Sequence, residues 1–144
     1  MIGVLLLLAS ALSFPVAIYV PTITGTVVCS SANALAKNLI VTVSNDKPLK
    51  GDNVSTVFDF DLDAPITGGT AYYDASLNGF PYSSRALLCD ETAKSGDPCP
   101  LAAGHHHQVS TATNTLTGKL VVKITWKDPT GAEILCAEVT TKTA

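Results

Sequence analysis

Three groups of residues in this 144-residue chain could hold a metal ion, a proton or a nucleophile. Gly104-His105-His106-His107-Gln108-Val109 sets three imidazoles side by side. Asp59, Asp61 and Asp63 recur at every second position through and just past Val54–Leu62. Cys89 and Cys99 bracket the turn-rich stretch of LLCDETAKSGDPCPL, residues 87–101. Serines are also present, so a hydrolytic arrangement has to be considered.

Spacing limits what each group can do. In a strand, neighbouring side chains point to opposite faces, so at most His105 and His107 could meet one ion. A third ligand would have to come from elsewhere, and exposed strand-edge histidines are the expected outcome, with no metal bound. Histidine titrates in the endosomal range, but the sequence alone assigns it no pH-sensing role. An EF-hand loop starting at Asp59 needs Gly at its sixth position and Glu at its twelfth. Those positions are Ala64 and Thr70, so the acidic row is read as a solvated strand face. The Cys89/Cys99 spacing is too wide for a CxxC zinc half-site, and there is no second half-site. The pair instead predicts a disulfide-pinned loop at the end of a strand. No Gly-x-Ser-x-Gly elbow, HExxH or Gly-rich phosphate loop occurs, and a hydrolase would need a Ser–His hydrogen bond in the fold. The chain is not expected to be an enzyme, and no cofactor is expected.

The elements that must position these residues are strands. Asn38–Ser44 is short and β-branched, and Asn45–Pro48 and Lys50–Asn53 are turns. Val54–Leu62 alternates strictly, with Val54, Thr56, Phe58, Phe60 and Leu62 on one face. Thr70–Leu77 places Ala71, Tyr73, Ala75 and Leu77 on one face. Asn78-Gly79 is a hairpin signal, and Phe80–Leu88 returns, with Pro81 marking an edge. Lys119–Trp126 sets Leu120, Val122, Ile124 and Trp126 together, and Glu133–Thr141 closes the chain. Ser31–Lys37 is expected to form one short helical turn; no other stretch shows a 3.6-residue period. About seven short strands with turns between them predict an all-β, immunoglobulin-like antiparallel β-sandwich of two sheets.

Length and charge narrow the function. One domain is expected at this size. A formal charge of −3 argues against nucleic acid as a partner and offers no general attraction to anionic membranes. No charge precedes Lys37, and Ile2–Leu12 is an apolar run of signal-peptide length. Residues 1–20 are therefore read as a signal peptide, with cleavage after Ala11, Ala17 or Gly25 as alternatives and an uncleaved anchor as the competing reading. The mature domain is taken as 26–144. Four cysteines in an exported chain allow three pairings. Cys89–Cys99 with Cys29–Cys136 is favoured, the second tying the first mature strand to the last. Asn53-Val54-Ser55 is a glycosylation sequon, relevant in a secretory lumen.

Taken together, some of these residues resemble a known family. Cys29, a strand before Asp46–Gly51, Leu88-Cys89…Cys99-Pro100-Leu101…Gly104, Lys119–Trp126, and Asp128…Gly131…Ile134-Leu135-Cys136 follow the order and spacing of the ML (lipid-recognition) domain. That family includes the Niemann–Pick type C sterol-transfer protein and fungal phosphatidylglycerol/phosphatidylinositol transfer proteins. The resemblance implies a sandwich whose sheets splay apart around a hydrophobic cavity, and the same two disulfides. It further implies a sterol or phospholipid ligand held between the sheets. An additional early disulfide and the proline-rich approach to Cys89 seen in some members are missing here. On this basis Val54, Phe58, Phe60, Tyr73, Leu120, Val122, Ile124 and Trp126 are expected to face the ligand, and Phe80 and Tyr82 to lie near the mouth. Trp126 matches a cavity-side aromatic of the family's corresponding strand. The expected protein is a secreted or lysosomal monomer that transfers lipid through transient contact with membranes or a membrane lipid transporter. The alternative is a module that senses lipid and presents it to a receptor.

Overall fold

The computed structural model describes residues 25–143, so the proposed signal peptide lies outside the described residues. The elements run β1 (Thr26–Val28), β2 (Ala36–Val43), β3 (Asn53–Leu62), β4 (Thr70–Leu77), β5 (Phe80–Leu87), α1 (Leu88–Lys94), β6 (Gly104–Thr113), β7 (Gly118–Lys127) and β8 (Glu133–Thr143). They form two antiparallel sheets, one of five strands in the order β1-β8-β7-β4-β5 and one of three in the order β2-β3-β6. The all-β sandwich is therefore present, with eight strands among the described residues. The strand added to the expected set is the short β1, which pairs with β8 from Thr26↔Val139 to Val28↔Ala137.

Local chemistry explains most boundaries. Asn78 and Gly79 both take positive φ, 50° and 85°, as the tight turn between β4 and β5 requires. The Asn78 side chain also accepts a hydrogen bond from the Lys119 backbone N–H at 2.9 Å, locking the turn to β7. β5 pairs only with β4 and is an edge strand, the position at which Pro81 does no harm to the ladder.

Two segments differ from the sequence-based expectation. Leu88–Lys94 is a helix where the end of a strand and a loop were expected. At seven residues it is too short to show a 3.6-residue hydrophobic repeat, burying only Leu88 and Thr92. Asp90 and Glu91 in its first turn and Lys94 in its last complement the helix dipole, and Gly96 at φ 80° follows its end. Ser31–Lys37 forms no helical turn. Ala34 N–H donates to Ser31 C=O in a tight turn, and Ala36 already belongs to β2, paired with Leu62. Long-range pairing with β3 outweighs the local helix preference of Ala-Leu-Ala.

Disulfides join Cys29 to Cys136 and Cys89 to Cys99. The first closes a separation of 107 residues, for which chain-entropy arguments give about 4–5 kcal/mol. It holds the entry of the described chain against β8, beside the Cys29 N–H to Cys136 C=O bond. On the same side of the sandwich, the Thr26 hydroxyl donates to Val41 C=O across the two sheets.

The core is concentrated at one end. Phe58, Phe60 and Trp126 meet edge-on, with Phe58–Trp126 and Phe60–Trp126 centroids 5.5 and 6.1 Å apart. Leu88, Leu101, Ile134 and Leu135 are fully buried around them. Ile66 and Leu101 pair through a backbone bridge, which seats the disulfide loop on this end.

Candidate functional site

Strand register sorts the inner face of the five-stranded sheet into rows. Pairing puts Phe80, Leu77, Leu120 and Thr141 in one row, and Tyr82, Ala75, Val122 and Val139 in the next. Ser84, Tyr73, Ile124 and Ala137 form the third row, and Ala86, Ala71, Trp126 and Leu135 the fourth. On the facing sheet, β3 carries Val54, Thr56, Phe58 and Phe60 inward in the same progression, flanked by Val41 and Val43 of β2 and by His106, Gln108, Ser110 and Ala112 of β6.

This arrangement leaves a cavity at one end and a packed core at the other. Stacked sheets stand about 10 Å apart, and large side chains are needed to span that gap. In the fourth row Trp126 meets Phe58 and Phe60, and the space is filled. In the first rows the facing groups are Val54, Thr56, Leu120, Val122, Val139, Thr141 and Ala112, which are too short to meet. The result is a cavity of about 360 Å³. Its walls are β3, β7 and β8, and its rim is Val43 and Pro48 on one side and Ala112–Leu116 on the other. None of its lining residues carries a charge.

The sequence-based candidates separate into three groups. Val54, Tyr73, Leu120, Val122 and Ile124 line the cavity. Phe58, Phe60 and Trp126 do not line it; they belong to the packed end, one row deeper, at 7%, 0% and 3% exposure. Phe80 and Tyr82 do not line it either. They lie on the inward side of β5, beyond the cover of the smaller sheet, and are 78% and 56% exposed. Lining residues that sequence reasoning missed are Val43, Pro48, Thr56, Val139, Thr141 and the 112–116 rim. Alternation along β8 around Cys136 could have found Val139 and Thr141. Nothing in the sequence signals that the β6–β7 connection folds over the opening.

Polar groups at the edges are paired. The Tyr73 hydroxyl donates to Glu91 Oε2 at 2.9 Å. Burial, and then the Glu91 carboxylate, push the phenol above its ordinary value, so it stays protonated. Glu91 Oε1 meets Lys94 Nζ at 3.2 Å. At the packed end, His106 sets Nδ1 against Asp97 Oδ2 at 2.7 Å and Nε2 against Ala102 C=O at 2.6 Å, stacked on Phe60. Gln108 Nε2 donates to the same Asp97 oxygen at 2.8 Å. These buried polar groups of β6 thereby tie the disulfide loop to the sheet.

The histidine triplet alternates as a strand requires. His105 and His107 are exposed with Asp59 and Asp61 on the outer face, while His106 is buried. His105 Nδ1 bonds Asp61 Oδ1 at 2.8 Å, and His107 Nδ1 bonds Asp59 Oδ1 at 2.7 Å. The hydrogen bond to Asp61 raises the His105 pKa above its ordinary value, and bonds from Asn38 and then His105 lower that of Asp61. Among the described residues no group of three or more His, Cys, Asp or Glu is arranged to hold a metal ion. Nor does any serine hydroxyl among them bond a histidine; the imidazoles bond Asp59, Asp61, Asp97 and Ala102. Asn53 of the sequon opens β3 beside the rim, exposed, its side-chain oxygen accepting the Thr113 hydroxyl at 2.9 Å. No helix among the described residues is long and apolar enough to cross a membrane.

The ML domain family matches residues 25–143, which is 119 of the 144 residues and the whole of the described sandwich. The chain belongs to the ML domain family. Among solved structures, a Niemann-Pick type C2 protein from Japanese carpenter ant is similar, with a TM-score of 0.60 at 14% identity, covering 82% of this chain and 98% of that one. Chicken MD-1, solved in complex with lipid IVa, is similar with a TM-score of 0.58 at 16% identity, covering 81% of this chain and 86% of that one. At these identities the likeness is one of fold. No curated protein sequence matches the chain.

Proposed function

We propose that this ML domain protein binds a lipid between its two sheets and carries it in solution between membranes. The observation that supports this most is the uncharged cavity of about 360 Å³, open at the strand ends and closed at the other end by Trp126, Phe58 and Phe60. Cavities of this size and lining take small apolar bodies, and each Å² of apolar surface withdrawn from water contributes about 25 cal/mol. A sterol fits this description, as does a single acyl chain of a phospholipid. The carpenter-ant relative is a Niemann-Pick type C2 protein, and chicken MD-1 holds lipid IVa, both on this fold. The two disulfides suit an oxidising compartment, so secretion or delivery to a lysosomal lumen is proposed, with a monomer as the working unit. Carriage, not catalysis, is the proposed activity, with transient contact at membranes or at a membrane lipid transporter.

A second reading, a module that presents its lipid to a receptor, draws on one observation. Phe80 and Tyr82, on one face of the edge strand β5, are 78% and 56% exposed, and exposed apolar groups side by side mark interaction surfaces.

Native mass spectrometry of the secreted, processed protein, before and after organic extraction, tests the binding step. A mass excess that leaves with solvent and is identified as sterol or phospholipid supports the proposal. A protein that stays bare after incubation with mixed lipid vesicles overturns it. Transfer between donor and acceptor vesicles then separates the two readings, because a presenting module binds lipid without delivering it.

A further inference from the structure

We propose that the inter-sheet cavity selects a neutral amphiphile with a hydroxyl head over an anionic lipid with the same apolar body, and that Glu91 enforces the choice. This rests on the lipid-binding reading above and narrows it to a ligand class.

The cavity offers a head group hydroxyls and an amide, and no cation. Its polar lining residues are Thr56, Tyr73, Thr113, Asn114, Thr115 and Thr141. An anion drawn out of water needs a paired charge or several strong donors to offset its lost hydration. A hydroxyl needs one donor or acceptor, which this lining supplies.

The one ionised side chain hydrogen-bonded to a cavity-lining side chain, among the described residues, has the wrong sign for an anion. Glu91 Oε2 accepts the Tyr73 hydroxyl proton at 2.9 Å. With its proton committed to Glu91, the Tyr73 hydroxyl has only oxygen lone pairs left to offer a ligand. A ligand hydroxyl has a proton to give them; a sulfate or carboxylate does not. The carboxylate behind Tyr73 also repels an anionic head, in a setting less screened than bulk water. Lys94 meets Glu91 from the solvent side, with its own side chain 73% exposed, so it weakens this repulsion only modestly.

Four cations adjoin lining residues in sequence, and one of them, Lys123 between Val122 and Ile124, pairs with Glu138 on the outer face. Lys142, beside Thr141, pairs with Lys119 on the outer face of the sheet. Lys47, beside Pro48, flanks the rim. The volume of about 360 Å³ is near the low end for ligand cavities, so it takes one compact apolar body and not several acyl chains.

The experiment uses two matched pairs, cholesterol with cholesteryl sulfate and cetyl alcohol with palmitate. Each is delivered from cyclodextrin to the intact secreted protein, and each pair competes in one sample read by native mass spectrometry. The expected result is at least tenfold higher occupancy by the neutral member of each pair that binds. Glu91→Gln, which keeps an acceptor for Tyr73, should narrow that ratio at least threefold, and Lys47→Gln should leave it unchanged. Equal or preferential uptake of the sulfate or the carboxylate overturns the inference while leaving lipid binding intact. So does a ratio that Glu91→Gln does not change. If none of the four lipids adds mass, this inference falls, and the incubation with mixed lipid vesicles decides the lipid-binding reading separately.

Discussion

Replacing Val122 with Phe tests whether the space between the sheets is a ligand cavity or ordinary core. Val122 sits in the middle of β7, in the row with Tyr82, Ala75 and Val139, and lines the cavity. Phe suits a strand as well as Val does, so backbone preference changes little. If the space is open, the ring enters it and buries two or three further methylene equivalents, contributing about 1.6–2.4 kcal/mol at about 0.8 kcal/mol each. In a packed interior the same insertion costs about 1–3 kcal/mol through displaced neighbours. The two cases therefore differ in sign. Ala71→Leu supplies the contrast: Ala71 is 0% exposed in the row of Trp126, where the space is full, and the added bulk should cost about 1–3 kcal/mol. Urea denaturation of delipidated protein gives both stabilities, and native mass spectrometry gives lipid occupancy. The expected result is that Val122→Phe is at least as stable as the parent and loses lipid binding at least tenfold. A variant destabilised by 1–3 kcal/mol that still binds lipid would refute the reasoning.

Trp126→Ala should destabilise the fold by about 3–5 kcal/mol, because it empties the contact with Phe58 and Phe60; chemical denaturation checks this. Asp97→Ala leaves His106 and Gln108 buried without their shared acceptor and should cost about 1–3 kcal/mol, with faster amide exchange in the Cys89–Cys99 loop as the local readout. His105 should titrate above the ordinary histidine value because Asp61 holds its charged form, and Asp61→Asn should return it, as followed by NMR. The sign follows from linkage: stabilisation from a raised histidine pKa is fully present below the unfolded value and is lost as pH rises through the folded one. His105 is exposed, so the shift should be visible in the spectrum with little change in stability.

Much of this was legible in the chain. Strict alternation in Val54–Leu62 and Lys119–Trp126 identified two inner faces, because a strand's side-chain period is two and burial on one side imposes it. Asn78-Gly79 and Pro81 located the hairpin and the sheet edge through their own backbone limits. The helix at Leu88–Lys94 was not legible, since two turns are too few for periodicity to register. The candidate site was only half legible. Val122 and Trp126 share a face in sequence, and nothing local says that one borders a cavity while the other is packed core.

That difference depends on which residues of the other sheet stand opposite. Trp126 faces Phe58 and Phe60, which fill the gap, whereas Val122 belongs to rows whose facing groups are too short to close it. Likewise Phe80 and Tyr82 have an inward direction in sequence, but the smaller sheet ends before it covers them. Tyr73 and Glu91, 18 positions apart, meet only because α1 folds back beside β4. The sequence by itself determined the long strands, their faces, the hairpin turn and a cysteine set consistent with two disulfides, since these follow from covalent geometry and local periodicity. Tertiary structure alone decided where the sheets touch and where they stand apart, because that depends on summed side-chain lengths across a gap that no single strand encodes.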